Sequence, residues 1–548
     1  MTAWRWVACG VLAVLVGLPL VQPFARLGQP AAWAWTAEDL ARVSQLALNT
    51  LLLAGATCLI AVPLGTLLAV LVFRTSFLGQ RLFMALLLFT LFVPLPVIVS
   101  SWQALLGSGG LWPIELWVSA VDRPWATGWL PAIWIHAIAA VPWVAFIVGL
   151  GLRWVEPELE EAASLQVPPW RVLFQVTLPR CRASILAASL FVALQTAGEI
   201  SVTDMMLIST LAEETYTQFI GGDEGLARTL VLALPGTLLL IGTLGILGSR
   251  LERALPPLPA TSRTAPALRL VPPATSVVIV AAYCGVLLIP LAALVWRLGE
   301  AGAPRAWSVA HAAQQLAGEA RLFGVPVIMA LATALAAGVA VAAVALVCTW
   351  LAARSPALRL FLLIVCMAAW VTPGPVIGIG EAECIRALPD GPWLAPLYYA
   401  PSPLPILWAH FIRFLPPALF FLWPVVRLIP REVFEAAELE GATPLDQLRH
   451  VVWPMTRRSA GVIALAVAAL ALGEHEAAGR AATPGWDPFA KLLFDRMHYG
   501  ADSNVAALSL LLLAGIALAG IAALAIRQIL RAVMRSPRPA PRSGPPPR

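Results

Sequence analysis

Two glutamates, Glu199 and Glu474, stand late in strongly apolar stretches of the chain. An ionised carboxylate inside a bilayer costs roughly 2.5–3.5 kcal/mol on insertion scales, so it faces a cavity or a partner. Such a pair can line a path that favours cations, or it can make interface hydrogen bonds near the membrane edge. Two histidines, His136 and His410, lie in other apolar stretches and could relay protons or bond a neighbouring helix backbone. Glu474, His475 and Glu476, with His498 and Tyr499 further on, offer metal-friendly atoms. Three adjacent residues on a helix cannot all face one ion, so no metal site is assigned, and no catalytic group either. Pro94-Leu95-Pro96-Val97-Ile98 and Pro373-Gly374-Pro375-Val376-Ile377 interrupt two further apolar stretches. Proline removes backbone hydrogen bonds, and broken helices survive at membrane depth only against protein or a water-filled cavity. Half-helices of this kind line transport paths, so Pro94, Pro96, Pro373 and Pro375 join the two glutamates as candidate pathway residues.

The elements that must hold these groups are membrane helices. The chain has 548 residues, 60% hydrophobic and 12% charged, with a mean hydropathy of +0.83. Soluble domains are about 25% charged. Apolar runs of 18 or more residues read as spans, and twelve are expected, near 4–24, 44–73, 82–105, 129–152, 183–203, 226–248, 273–296, 322–350, 358–380, 404–428, 458–475 and 503–527. The expected class is therefore an all-α polytopic membrane protein. The first run has only Arg5 as a basic flank and no obvious A-x-A cleavage site, so a retained anchor is expected.

The net charge of +6 comes almost wholly from arginine, and Lys491 is the only lysine. Arginines concentrate in alternate loops: Arg74 and Arg81; Arg171, Arg180 and Arg182; Arg354 and Arg359; Arg431, Arg449, Arg457 and Arg458. By the positive-inside rule these loops and both termini are cytoplasmic. The basic balance is thus a topology signal, and nucleic-acid binding is excluded as its explanation. Seven scattered cysteines form no CxxC pair and read as small apolar packing residues. Most of the 22 tryptophans fall near expected interfaces, as an aromatic belt does.

The chain divides into two halves. Residues 1–250 and 273–530 each hold six expected spans, joined by a Pro- and Arg-rich cytoplasmic linker, 251–272; residues 531–548 are basic, Pro-rich and expected to be disordered. The halves match in order. Pro94 answers Pro373, Pro131 answers Pro405, His136 answers His410, and Glu199 answers Glu474, at offsets of 279, 274, 274 and 275 residues. Six spans per half return the chain to the same side, so the repeats are parallel, related by an axis along the membrane normal.

Between the matched histidines and glutamates lie two charged loops, 156–179 (EPELEEAASLQVPPWRVLFQVTLP) and 431–454 (REVFEAAELEGATPLDQLRHVVWP). In the second, Pro430 suits a helix start. Glu432, Glu435 and Glu438 fall on one side; Val433, Ala436, Ala437 and Glu440 fall at the complementary spacing. Gly441 can end the helix. Thr443, Pro444 and Asp446 cap a second short helix whose apolar side is Leu445, Leu448 and Val451. The first loop repeats this plan with Trp170, Leu173 and Val176. It has Gln166 in place of the glycine, and Pro168-Pro169 to force the bend.

These loops, with Glu161-Ala162-Ala163 and Leu178-Pro179 in one copy and Glu435-Ala436-Ala437, Gly441 and Trp453-Pro454 in the other, resemble the cytoplasmic Glu-Ala-Ala loop of the permeases of ATP-binding-cassette (ABC) importers fed by a binding protein. The resemblance covers about 45–250 and 320–528. Two units fused in one chain are most similar to the ferric-iron permeases, then to the thiamine ones. The resemblance implies that the loops dock on ATPase subunits. That assigns coupling to Glu161, Ala162, Ala163, Trp170, Leu173, Glu435, Ala436, Ala437, Gly441, Leu445 and Leu448.

A P-loop needs Gly-Lys-Ser/Thr, whereas Lys491 lies between Ala490 and Leu492. ATP hydrolysis is therefore assigned to a partner, and no cofactor is expected on this chain itself. The expected partners are two ATPase subunits on the cytoplasmic side, a periplasmic or lipid-anchored substrate-binding protein, and membrane lipid. The expected place is the inner (plasma) membrane. Ferric iron or another small cation is the expected cargo, with thiamine or an organophosphonate as alternatives. A secondary transporter driven by an ion gradient is the alternative of another class.

Overall fold

The computed structural model describes residues 2–28, 30–107, 110–112, 127–153, 155–220, 228, 231, 272–301, 306–389, 391–399, 401–427, 429–498 and 502–535. The apolar runs are helices, because a helix closes its backbone hydrogen bonds within its own segment, as hydrocarbon demands. The first half runs α1 (Trp4–Gly28), α2 (Ala37–Arg74), α3 (Gln80–Leu91), α4 (Leu95–Leu106), α5 (Trp129–Leu152), α6 (Pro157–Ser164), α7 (Pro169–Arg180), α8 (Arg182–Ala197), α9 (Ser201–Met205) and α10 (Leu211–Ile220). The second runs α11 (Pro273–Gly299), α12 (Val309–Ala353), α13 (Pro356–Val371), α14 (Gly374–Arg386), α15 (Leu404–Arg427), α16 (Arg431–Leu439), α17 (Pro444–Gly473), α18 (Ala478–Ala481), α19 (Phe489–His498) and α20 (Asp502–Arg535). The only strands among the described residues are a two-residue ribbon, Glu300–Ala301 with Ala306–Trp307.

Eight helices are long and apolar enough to cross a membrane, and three bent pairs bring the total to eleven among the described residues. Of the twelve expected spans, 226–248 lies outside them apart from residues 228 and 231, as do linker residues 251–271 and residues 536–548. The last helix extends to Arg535, so residues 531–535 belong to it rather than to the expected tail. The fifth and eleventh spans stop short of their expected ends, at Ala197 and Gly473.

Two helices far exceed a bilayer. The 38 residues of α2 and the 45 of α12 reach about 57 and 68 Å at ~1.5 Å per residue, against about 30 Å of hydrocarbon. Their starts are capped for water: Thr36 and Asp39 form a reciprocal capping box on α2, and the Ser308 hydroxyl accepts the His311 N–H on α12.

The bends fall where proline dictates. α3 and α4 meet at 105°, and α13 and α14 at 111°. Pro94 and Pro373 are extended (φ −65° and −57°, ψ 150° and 144°), each immediately before its new helix. The clash of a proline ring with the preceding residue disfavours helix there. Pro96 and Pro375 then occupy the first turn, where a missing N–H leaves no gap.

The halves are held together by exchange of their first helices. α1 lies against α14 of the second half. There Gly380 lets the backbones touch, since a Cβ would sit 1.9 Å from the Pro19 carbonyl oxygen. Phe24 and Leu27 pack on Val376 and Ile379, Arg26 pairs with Glu383, and the Trp408 indole N–H donates to the Leu15 carbonyl at 2.7 Å. In return α11 lies against α4. Its Tyr283 and Leu287 enter the core of the first half, with the Tyr283 ring edge-on to Phe83 at 5.9 Å.

Candidate functional site

Between the halves is a cavity of about 150 Å³. Its walls are the α3–α4 break (Thr90, Pro94), α5 (His136, Trp143), α8 (Phe191, Gln195), α15 (Arg413) and the segments following α8 and α17 (Glu199; Glu474, His475, Glu476). Phe191 of the first half approaches Phe421 of the second, their ring centroids 6.0 Å apart.

Glu199 and Glu474 are not in the helices themselves. They stand just past the last turns of α8 and α17, where each caps the next short helix. Glu199 accepts the Val202 N–H at 2.9 Å. Glu474 accepts those of Ala477 (2.7 Å) and Ala478 (3.0 Å). A carboxylate at a helix start satisfies amides that have no partner within the helix. Each also faces its own half's histidine: His136 Nε2 is 3.7 Å from Glu199, and His410 Nε2 is 3.7 Å from Glu474. Those gaps exceed hydrogen-bond reach. Both histidines are buried, and these Nε2 atoms have no hydrogen-bond partner.

Of the candidate pathway residues, Pro94, Glu199 and Glu474 line the cavity together with His136. Pro96, Pro373, Pro375 and His410 are outside its wall. The Pro373–Pro375 turn touches it indirectly, because Gly374 packs against the Glu476 side chain. Glu474, His475 and Glu476 are buried but point to different neighbours: the α18 amides, the Phe494 ring at 4.8 Å, and Gly374. Among the described residues no group of three His, Cys, Asp or Glu side chains is arranged to hold a metal ion.

Sequence reasoning missed Arg413. It is the one basic side chain in the cavity wall besides the histidines, and its Nη1 donates at 3.0 Å to the carbonyl of Thr372, the residue at the α13–α14 bend. Its signal was present: an arginine three residues beyond His410 in an apolar span is as costly as a glutamate there.

The two charged loops lie at the opposite ends of α8 and α17 from the cavity glutamates. α6 and α16 are short helices carrying Glu161, Ala162 and Ala163, and Glu435, Ala436 and Ala437. The turn after α16 uses Gly441 at φ +79°. Its N–H bonds to Glu438 O and that of Ala442 to Ala437 O, closing the helix end. After α6, where Gln166 stands instead, the amides of Gln166 and Val167 both bond to Ala163 O, and extended Pro168 redirects the chain. Thr443 and Asp446 form the expected cap as a reciprocal box. Both second helices pass through a π-helical turn at the same position, Leu173–Thr177 and Leu448–Val452.

Of the positions Val433, Ala436, Ala437 and Glu440, only Ala437 is turned inward. Phe434 and Ala437 turn toward the protein body, while Val433 and Ala436 are exposed. Arg354 lies over the Phe434 ring at 4.4 Å and pairs with Glu438 at 2.8 Å. In α6 the place of Phe434 is taken by Glu160, wholly buried, which pairs with buried Arg74 and accepts the Thr177 hydroxyl at 2.5 Å. Outward, Leu165 and Leu439 are 88% and 90% exposed, and Trp170 and Leu445 are 54% and 56% exposed. Leu173 and Leu448 are half-buried beneath them.

Residues 61–257 match the family described as "binding-protein-dependent transport system inner membrane component". The chain is also similar to the molybdenum transport system permease protein ModB of Escherichia coli strain K12. The two are 27% identical over 201 residues, 35% of this chain and 86% of the relative. The Haemophilus influenzae protein of the same name is 27% identical over 216 residues, 38% of this chain and 93% of the relative.

Proposed function

We propose that this chain is an inner-membrane permease of the binding-protein-dependent ABC importer type and that it carries both membrane units of its transporter in one polypeptide. The two units are parallel repeats, the cavity between them is on the translocation path, and both termini are cytoplasmic. The observation that carries this reading is the doubled loop: two helix–turn–helix devices, each with a π-turn at the same position, each exposing a leucine and a second apolar side chain at one end of the molecule. An isolated membrane protein has little reason to expose those groups, and exposed apolar patches mark partner sites. One ATPase subunit docks on each loop, through Trp170 and Leu173 in one and Leu445 and Leu448 in the other. A periplasmic or lipid-anchored binding protein delivers cargo at the opposite end.

The cargo is a small ion. The cavity is small, and it presents carboxylates (Glu199, Glu474, Glu476) beside a guanidinium (Arg413). The ModB relatives are named for molybdenum transport, and ferric iron is the expectation from the fused arrangement. Co-purification with the neighbouring ATPase and binding protein, followed by vesicle uptake of molybdate, ferric iron and thiamine, tests both statements. Uptake of one ion that needs ATP and the binding protein is expected. Uptake that persists without ATP and collapses with a proton ionophore would overturn the importer reading.

A further inference from the structure

At the end of the molecule opposite the charged loops, a short side-chain contact joins α9 of the first half to α19 of the second. His498, the last residue of α19, places Nε2 at 2.6 Å from Asp204 Oδ2 in α9. We propose that this pair is a proton-dependent latch that holds the two halves together on that side of the cavity.

The chemistry of the two ring nitrogens makes it so. Nδ1 lies 3.0 Å from the Phe494 carbonyl oxygen, which can only accept, so Nδ1 carries a hydrogen. Nε2 faces a carboxylate oxygen. With Asp204 ionised, that contact is favourable only if Nε2 is protonated too, making the ring an imidazolium. A neutral ring that keeps its Phe494 bond turns a lone pair toward the carboxylate, and the contact becomes repulsive. Histidine is the side chain whose ordinary titration range makes this change near neutral pH. Protons reach it, since the His498 and Asp204 side chains are 43% and 31% exposed.

The charged surroundings are distributed over several elements. On α19 itself, Lys491 pairs with Asp495 at 2.9 Å, and Arg496 lies over the Phe323 ring of α12 at 5.3 Å. Glu199 and, on α10, Glu213 are carboxylates within electrostatic reach of Asp204. His475 feels both Asp204 and Asp495. α4 carries no titratable residue, and α20 starts at Asp502. The latch is also one ring away from the cavity: Phe494 packs on His498 at 4.5 Å and on the cavity residue His475 at 4.8 Å. Release of the latch therefore loosens the Phe494 ring that backs His475 in the cavity wall.

The test is a distance measured on the full chain in nanodiscs, with its seven cysteines replaced by alanine. Spin labels are placed at the exposed positions Thr217 (α10) and Asp487, ahead of α19. In the otherwise native protein the short-distance population should dominate at pH 6, and the open-to-closed ratio should rise about fivefold by pH 8.5, the scale of one exposed ion pair. His498→Arg should hold the short distance at both pH values. His498→Gln and Asp204→Asn should give the wide distribution at both. The exchange Asp204→His with His498→Asp should restore the pH response, which separates the latch from any folding defect of a single variant. Identical distributions at pH 6 and 8.5 in the native protein, or a native pH response in His498→Gln, would overturn the proposal. The measurement needs no ATPase, binding protein or cargo, so its failure leaves the transport reading intact, and failed uptake leaves the latch intact.

Discussion

Glu160 and Glu474 are both buried carboxylates, yet their neighbours give them different duties. Glu160 neutralises Arg74 at the base of the first loop, and truncating one member of a buried pair strands the other charge, typically at 3–5 kcal/mol. Glu160→Ala is expected to lower the melting temperature of the purified protein and, on the proposed importer reading, to reduce its binding of the ATPase. Glu160→Gln, which can still accept from Thr177, should lose less. Glu474 instead terminates two amides of α18. Glu474→Ala leaves both unpaired, at about 1–3 kcal/mol each. A thermal-shift assay should show the loss, and Glu474→Gln, whose side-chain oxygen can accept, should recover part of it. If Glu474 served only to attract cations, Gln would be no better than Ala. Glu474 could be found from sequence by its cost in an apolar run, whereas Glu160 stands among the other glutamates of a charged loop, and the duty of neither could be read there. A cap is recognised only when the helix it caps is seen to begin there.

Among the elements, the turn of the second loop is the sharpest case. Gly441 has φ +79°, and a Cβ there would meet no atom within 4 Å. A side chain is thus excluded by backbone strain alone, about 1–2 kcal/mol for an L-residue. Gly441→Val should leave membrane insertion and global stability nearly unchanged while misdirecting α16 relative to α17. The expected signature is a fall in cargo moved per ATP hydrolysed, measured in reconstituted vesicles. An unchanged ratio would overturn the proposed coupling role of Gly441. The first loop reaches a similar course through Pro168-Pro169, so Gln166→Gly should have little effect on the same ratio. The turn chemistry of both loops was readable in advance because glycine and proline act on their own dihedrals. The direction each loop helix faces was not: Phe434 turns inward, where the Arg354 guanidinium lies over its ring.

Across the whole molecule, the exchanged first helices decide what each half can do alone. Residues 1–250 lack the helix that fills the surface beside α4, and residues 273–548 lack the one that fills the surface beside α14. Expressed separately, each half is expected to be degraded or to aggregate; expressed together, they should reassemble and co-purify without the linker. Gly380→Leu tests the same seam, because its side chain must displace the Pro19 backbone. It should destabilise the chain by several kcal/mol, on the scale of severe overpacking. A thermal-unfolding midpoint equal to the native one would contradict the packing described.

What was decided along the chain was local. An apolar run long enough to cross hydrocarbon must be a helix, a proline must bend it, and a Thr-Pro-x-Asp must start one; these follow from backbone hydrogen bonding and dihedral sterics within a few residues. Folding in three dimensions settled the pairings that span great lengths of chain. Trp408 donates to Leu15, 393 positions away; His498 meets Asp204 across 294; Arg413 enters a cavity walled by α5 and α8. No local preference encodes such partners, because they arise from which helix faces fit together, and that depends on the shape and charge of the whole packed bundle at once.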